Sequence, residues 1–238
     1  MKTPYYLIDE QLLEKNLKIL QTVKKQTGCK ILLAQKCFSM FSVYPLIAKY
    51  LDGTTASGLF EAKLGYEEMH KENHIFSGAY RDDEIEEIMS ICDHVVFNSF
   101  NQWQKYQDLA KQTGTSCGIR INPECSTQIG HEIYDPCAKF SRMGVTLENF
   151  KDELLEGIEG LHFHTLCEQN SDDLVTTIRA VETKFGKYLK QMKWLNFGGG
   201  HHITRVDYDL DTLINVINEI KAKYEVEVYL EPGEAVAL

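Results

Sequence analysis

Five short stretches of the chain carry residue types able to do chemistry. Lys36 lies in ILLAQKCF, where an apolar run ends at the lysine. An amine presented there, where a strand meets solvent, is a nucleophile able to form a Schiff base with a carbonyl. Otherwise it lays its stem along apolar surface and reaches water. GLHFHTLCE sets His162 and His164 two residues apart, with Cys167 and Glu168 close behind. The two-residue period of a strand puts both imidazoles on one face. Three uses stay open for them: metal ligation with Cys167 and a third ligand such as Glu231, stacking of one ring on a planar cofactor, or polar lining of a pocket mouth. NFGGGHH supplies Gly198, Gly199 and Gly200, whose missing side chains let backbone N–H groups crowd an anion such as phosphate. His201 and His202 read as solvent-facing loop residues. In LEPGE, Glu231 is a carboxylate suited to keep a pyridine nitrogen protonated, so that the ring withdraws electrons, or else a capping or surface acid. Arg120, in GIRINP, suits a carboxylate held through two bonds, negative charge near a ring, or an internal ion pair.

Such residues need elements that bring them together. From residue 7 onward the chain alternates helical spacing with short apolar, β-prone runs. Leu12, Leu13, Leu17, Leu20 and Val23 mark a first helix, with Asp9 as its cap and Gly28 as its stop. Strands are predicted at 30–35, 53–56, 74–77, 94–98, 117–122, 158–164, 193–198 and 227–232. Helices are predicted at 42–51, 59–70, 82–91, 101–113, 149–156, 171–188 and 210–224. Apolar strands alternating with helices indicate a parallel sheet covered by helices. Eight such units favour a closed (β/α)8 barrel, with strands spanning about 30–232, over a doubly wound sheet, and no GxGxxG follows the first strand. In a barrel the chemistry gathers at the C-terminal strand ends, and all five stretches fall there. The non-repetitive segment 123–144 reads as a substrate-facing loop. Its Cys125, His131, Asp135 and Cys137 match no compact zinc spacing, and no metal is expected. The eighth strand is followed only by GEAVAL, so its outer flank is expected to lack a covering helix, as in a shortened chain. YYLID before the first helix is apolar and β-prone, and is expected to pair as a strand with something outside residues 1–238.

Composition narrows the partners. The chain has 238 residues, with 35 acidic against 25 basic, for a formal charge of -10. That balance disfavours nucleic acid and anionic membrane surfaces. There is no uncharged run long enough to span a bilayer and no signal-peptide pattern. Seven scattered cysteines read as thiols of a reducing cytoplasm.

Taken together, QKCFS (35–39), TTASGLFEAKLG (54–65), RINPE (120–124), SRMG (141–144), GLHFHTLCEQ (160–169), NFGGGHH (196–202) and EPGE (231–234) resemble the fold III pyridoxal-phosphate decarboxylases. That is the group of alanine racemase, ornithine decarboxylase and diaminopimelate decarboxylase. The stretches span nearly the whole chain, and GLHFHTLCE and EPGE are the specific ones. Glu234 stands where ornithine decarboxylase relatives carry Arg, which favours the carboxynorspermidine (carboxyspermidine) branch. The resemblance implies a pyridoxal 5'-phosphate enzyme. Lys36 would hold the cofactor covalently, His164 would stack on its ring, Gly198 to Gly200 would bind its phosphate, Glu231 would face the pyridine nitrogen and Arg120 would lie beneath. It implies decarboxylation of a small cationic amino acid in polyamine biosynthesis, with Asp135, Glu168 and Glu234 as candidate anions for its ammonium groups. It further implies a homodimer completed by a C-terminal β domain that lies outside residues 1–238. Other readings are a different fold III decarboxylase or racemase, a metal-dependent barrel hydrolase, and an inactive cofactor-binding fragment. An alanine racemase normally sets arginine, not glutamate, against the pyridine nitrogen.

Overall fold

The computed structural model describes residues 3–128 and 132–238. Eight parallel strands close into a barrel in sequence order, and the first pairs with the last. They are β1 (Lys30–Ala34), β2 (Gly53–Ala56), β3 (Glu72–Phe76), β4 (His94–Phe97), β5 (Ser116–Arg120), β6 (Ile158–His162), β7 (Trp194–Asn196) and β8 (Glu227–Leu230). The outer layer is α1 (Glu10–Thr27), α2 (Tyr44–Ile47), α3 (Leu59–Glu68), α4 (Ile85–Ile91), α5 (Phe100–Thr113), α6 (Ser171–Leu189), α7 (Leu210–Tyr224) and a last short turn, α8 (Glu234–Ala237).

Local sequence explains the helix ends. The Asp9 carboxylate accepts from the amides of Gln11 and Leu12, which satisfies two donors that the first turn leaves free. Gly28 closes α1 at φ 64°, a left-handed position where a Cβ is disfavoured. Leu13, Leu17, Leu20 and Val23 form the buried stripe. Strands 3.3 Å per residue long with side chains on alternating sides give two cores. Ile31 and Leu33 face the helices, while Leu32, Val96, Trp194 and Tyr229 fill the barrel interior.

That interior is built around one indole. A Cβ on Gly160 of β6 would lie 2.0 Å from the Trp194 ring, and one on Gly118 of β5 would lie 2.2 Å from it. Two neighbouring strands give up side chains so that the third can fill the centre. Trp194 Nε1 donates to Ser116 Oγ at 3.0 Å, so the buried ring keeps a partner for its N–H.

Several expectations are corrected. The strand predicted at 158–164 ends at His162, the one at 193–198 at Asn196 and the one at 227–232 at Leu230. Ladder-like bonds nevertheless continue upward, from Phe163 N to Asn196 O, Phe197 N to Tyr229 O and Glu231 N to Gly198 O. The helix predicted at 149–156 is two 3-10 turns, Leu147–Asn149 and Asp152–Leu154, with Phe150 extended between them and packed on Phe100, Phe185 and Tyr188. Tyr5, Tyr6 and Leu7 are exposed and lie in no strand. β8 has no bare flank: Val228 and Leu230 are fully buried. α7 directly precedes β8 and lies on it, and α1 packs against both α7 and α8. Asn16 of α1 adds side-chain bonds to Val236 O and Leu238 O. All seven cysteines are free thiols. Among the described residues no helix is long and apolar enough to cross a membrane.

The Trp194 packing yields a test. Gly160→Ala should cost about 1–3 kcal/mol by overpacking, seen as a fall in Tm of about 2–12 °C. Adding Trp194→Phe, which shortens the ring, should restore part of the loss. Equal Tm for Gly160→Ala and the parent in a thermal melt would contradict this packing.

Candidate active site

The C-terminal ends of the strands surround a cavity of about 740 Å³. Lys36, two residues past β1, lies on its wall together with Arg120, His162, His164 and Glu231. A smaller chamber of about 240 Å³ shares Lys36, His164 and Glu231 and extends to Gly199, Gly200, His202 and Glu234. The residues singled out from β1, β5, β6, β7 and β8 therefore meet in one place. Asp135 lines the larger cavity, where its Oδ1 accepts from Cys137 N at 2.8 Å. His131 lies outside the described residues.

Glu231 is the centre of the polar network. Its carboxylate is buried, and Asn196 Nδ2 donates to Oε1 at 2.8 Å while His162 Nε2 stands 3.3 Å from Oε2. Burial pushes this carboxyl up, but His162 and Asn196 outweigh it and hold the group well below the usual carboxylate range. Burial pulls His162 down, against the pull of Glu231. We take the pair as an ionised carboxylate facing a neutral imidazole that donates Nε2–H. Asn196 was missed in the sequence. Its signal is a lone polar residue closing the apolar strand WLN.

His164 has its tautomer set by the backbone. Gly199 N donates to Nδ1 at 3.1 Å, which leaves Nε2 to carry the ring proton. Burial, then the nearby charges of Lys36 and Arg120, hold it well below an ordinary histidine. Arg120 is buried, its guanidinium carbon 4.5 Å from the centre of the Phe76 ring, and Nη2 donates to His164 O at 3.0 Å. Burial lowers it to about 10, and among the described residues no carboxylate sits within ion-pair distance. An internal ion pair is thus not its role. Phe76, the platform for Arg120 and a stacking partner of His162 at 5.4 Å, was not singled out in the sequence either.

The glycine run lies against the backbone of its neighbours. A Cβ on Gly200 would lie 2.0 Å from Leu166 O, and one on Gly199 2.6 Å from Glu231 O, so this backbone approaches its neighbours as only glycine can. Two of its amides already have partners: Gly198 N donates to Asn196 Oδ1 and Gly199 N to His164 Nδ1. The run therefore knits the ends of β6, β7 and β8 together, besides leaving open space.

Two readings change. His201 and His202 are buried, 1% and 6% exposed, rather than solvent-facing. A parallel bridge between Gln169 and His201 draws the loop after β7 against the loop after β6. The metal set considered from His162, His164, Cys167 and Glu231 does not gather. Among the described residues, the metal-type ligand atoms that converge are those of Glu168, His202 and Glu234, within 4.8 Å of one another.

An eight-stranded barrel with a lysine at the mouth of β1, a buried carboxylate after β8 and a histidine pair between them has the fold of the alanine racemase and ornithine decarboxylase group. Comparison places it more closely. The chain is 46% identical over 236 residues to a carboxynorspermidine/carboxyspermidine decarboxylase of Campylobacter jejuni, across 99% of this chain and 61% of the relative. It is 37% identical to a carboxyaminopropylagmatine decarboxylase of Synechocystis, across 100% of this chain and 61% of the relative. A crystal structure of carboxynorspermidine decarboxylase from Campylobacter jejuni, complexed with norspermidine, superposes with a TM-score of 0.92 at 44% identity, over 99% of this chain and 61% of that one. No family model matches. The resemblance drawn from the sequence is thereby shown, while the chain spans about 61% of the length of these relatives.

The buried histidines set a pH dependence. Burial lowers His201 from 6.5 to about 4 against the opposing pull of nearby carbonyls and Glu231. Its folded value lies below its unfolded one, so below pH ~6.5 the unfolded chain binds a proton that the fold refuses. Stability should fall by about 3 kcal/mol as pH drops from ~6.5 toward ~4, and no further from this group below that. In urea titrations His201→Gln should flatten that slope by about one proton. Parallel slopes for parent and variant would contradict the assignment.

Proposed function

We propose that the intact protein is a pyridoxal-phosphate-dependent carboxy-lyase that converts carboxynorspermidine or carboxyspermidine into norspermidine or spermidine and carbon dioxide. The observation that carries this is Glu231, a buried carboxylate held ionised by Asn196 and His162 in the cavity that also exposes Lys36. A buried anion at the cavity wall suits a protonated pyridine nitrogen. The residues fit the cofactor on further counts. Gly199 and Gly200 bring bare backbone to the wall of the smaller chamber, and Arg120 is a buried cation with no carboxylate at ion-pair distance among the described residues. Lys36 has a side chain open to the cavity.

When bound, the cofactor supplies a ring that takes up the electron pair left as carbon dioxide departs. Lys36 would hold it covalently through its side-chain amine. Glu231 would keep the proton on the ring nitrogen, and His162 and Asn196 would keep Glu231 able to do so. His164, fixed by Gly199, would lie flat on one ring face. Arg120 would sit beneath it and balance negative charge. Gly198 to Gly200 would face the phosphate. Asp135, Glu168 and Glu234 are anions for a cationic substrate. The likeness to an enzyme solved with norspermidine supports the substrate class. The relative that acts on carboxyaminopropylagmatine favours a second reading, in which the distal group is a guanidinium. Free thiols support a cytoplasmic setting, and kinship with this fold group supports a homodimer with a further β domain; sedimentation of the intact protein checks the dimer.

Borohydride reduction of the intact protein supplied with pyridoxal phosphate should erase a band near ~420 nm and tag Lys36 in a peptide map. Lys36→Ala should remove both signals, and Glu231→Gln should keep the tag while lowering kcat by about a hundredfold or more. A tag on another lysine sinks the proposal. So does turnover unchanged in Glu231→Gln.

A further inference from the structure

We infer that Phe76 is a positioning residue whose ring sets the plane of His162 and seats the Arg120 guanidinium; the inference rests on the function proposed above and adds to it a residue from β3. Phe76 is the last residue of β3, in register with Val96 of β4. Ile75 before it belongs to the core under the helices, so strand alternation turns Phe76 inward. Its half-buried ring packs against the interior cluster of Leu32, Val96, Trp194 and Tyr229 and borders the larger cavity. Arg120 and His162 end β5 and β6 and stand side by side in register. A side chain from β3 thus meets two from strands with which β3 does not pair.

His162 needs such a contact. The χ2 torsion of a histidine is broad and sets no sharp ring plane of its own. Nδ1 is buried without a hydrogen-bond partner, so a single polar contact holds the ring, Nε2 at 3.3 Å from Glu231 Oε2. Turning the ring about χ2 would swing Nε2 away from the carboxylate. Phe76 lies nearly parallel to it, with 16° between the planes and 5.4 Å between the centres, and obstructs that turn.

Arg120 needs the ring for a different reason. The residue is 4% exposed, and among the described residues its one hydrogen bond is from Nη2 to His164 O. A desolvated cation without a carboxylate is still attracted by the negative face of an aromatic ring. Its guanidinium carbon stands 4.5 Å from the centre of Phe76, inside the range of that attraction. An aliphatic side chain of similar size would fill the space and offer neither the flat face nor the charge distribution. Because both contacts use one ring, moving Phe76 disturbs together the imidazole that faces Glu231 and the guanidinium bonded to the backbone of His164.

The test separates a flat aromatic face from mere bulk by comparing Phe76→Leu with Phe76→Tyr in the intact protein. Histidine-selective ¹⁵N NMR, recorded before cofactor is added, reads the His162 tautomer. The parent and Phe76→Tyr should show Nε2 protonated and Nδ1 bare. Phe76→Leu should move both nitrogens toward a mixture of tautomers, while the His201 signals stay in place and report an intact fold. The Kd for pyridoxal phosphate, followed by absorbance, reads the Arg120 contact. Phe76→Leu should raise it by about fivefold or more and Phe76→Tyr by less than about twofold. Added to Arg120→Met, Phe76→Leu should raise it less than it does alone, because the cation it seats is gone. An unmoved His162 tautomer in Phe76→Leu overturns the inference. So do independent, multiplicative effects of Phe76→Leu and Arg120→Met, Phe76→Tyr behaving as Phe76→Leu, or His201 signals that shift as far as those of His162. Borohydride tagging of Lys36 runs in parallel. An untagged parent removes the proposed function, and the tautomer comparison, made without cofactor, still decides whether Phe76 holds His162.

Discussion

A carboxylate that must stay ionised inside a protein needs donors it cannot lose. Glu231 has two, and they stand on the neighbouring strand ends: Asn196 after β7 and His162 at the end of β6. Burial alone would protonate this group, and the hydrogen bonds reverse that outcome. The rest of the mouth can be read as what keeps those three strand ends in register. Gly198 and Gly199 turn so tightly that their amides reach Asn196 and His164, and their carbonyl side receives Glu231 N. Replacing any one of these with a bulkier residue would move the acid relative to its donors.

The barrel makes this arrangement possible because its two ends are separated in function. Lower down, the interior is filled by Trp194, Leu32, Val96 and Tyr229, with glycines on β5 and β6 making room. A packed floor excludes water beneath the site, so charges above it interact through a medium less screening than solvent. The same floor explains why the buried imidazole and guanidinium are both lowered. Both effects come from desolvation, but they act on groups with different partners: a backbone amide for His164, an aromatic face for Arg120.

What the sequence made legible follows the range of the interactions involved. Asp9 and Gly28 bounded the first helix correctly, because capping is settled within four residues. Lys36, His164, Arg120 and Glu231 could be placed at one mouth, because a parallel barrel puts every strand end on the same side. The failures are long-range. The flank of β8 is closed by α7 together with α1, which packs on α7 and α8 from about two hundred residues earlier, and no local pattern announces that second contribution. His201 and His202 looked exposed because the run GGGHH is polar and follows glycines; only the bridge to Gln169 buries them. Asn196 was passed over as the end of a strand, since its value lies in an acid 35 residues on.

The two connected cavities then differ in sign, and the difference has a consequence for how a substrate can enter. The larger one has Arg120 on its wall; the smaller one has Glu234 and its imidazole neighbour. Lys36, His164 and Glu231 border both. An amino acid with a carboxylate at one end and a cationic arm at the other is oriented by such a field before any contact is made. The two chambers thus carry opposite charges on their outer walls, Arg120 on one and Glu234 on the other, while Lys36, His164 and Glu231 form the border they share.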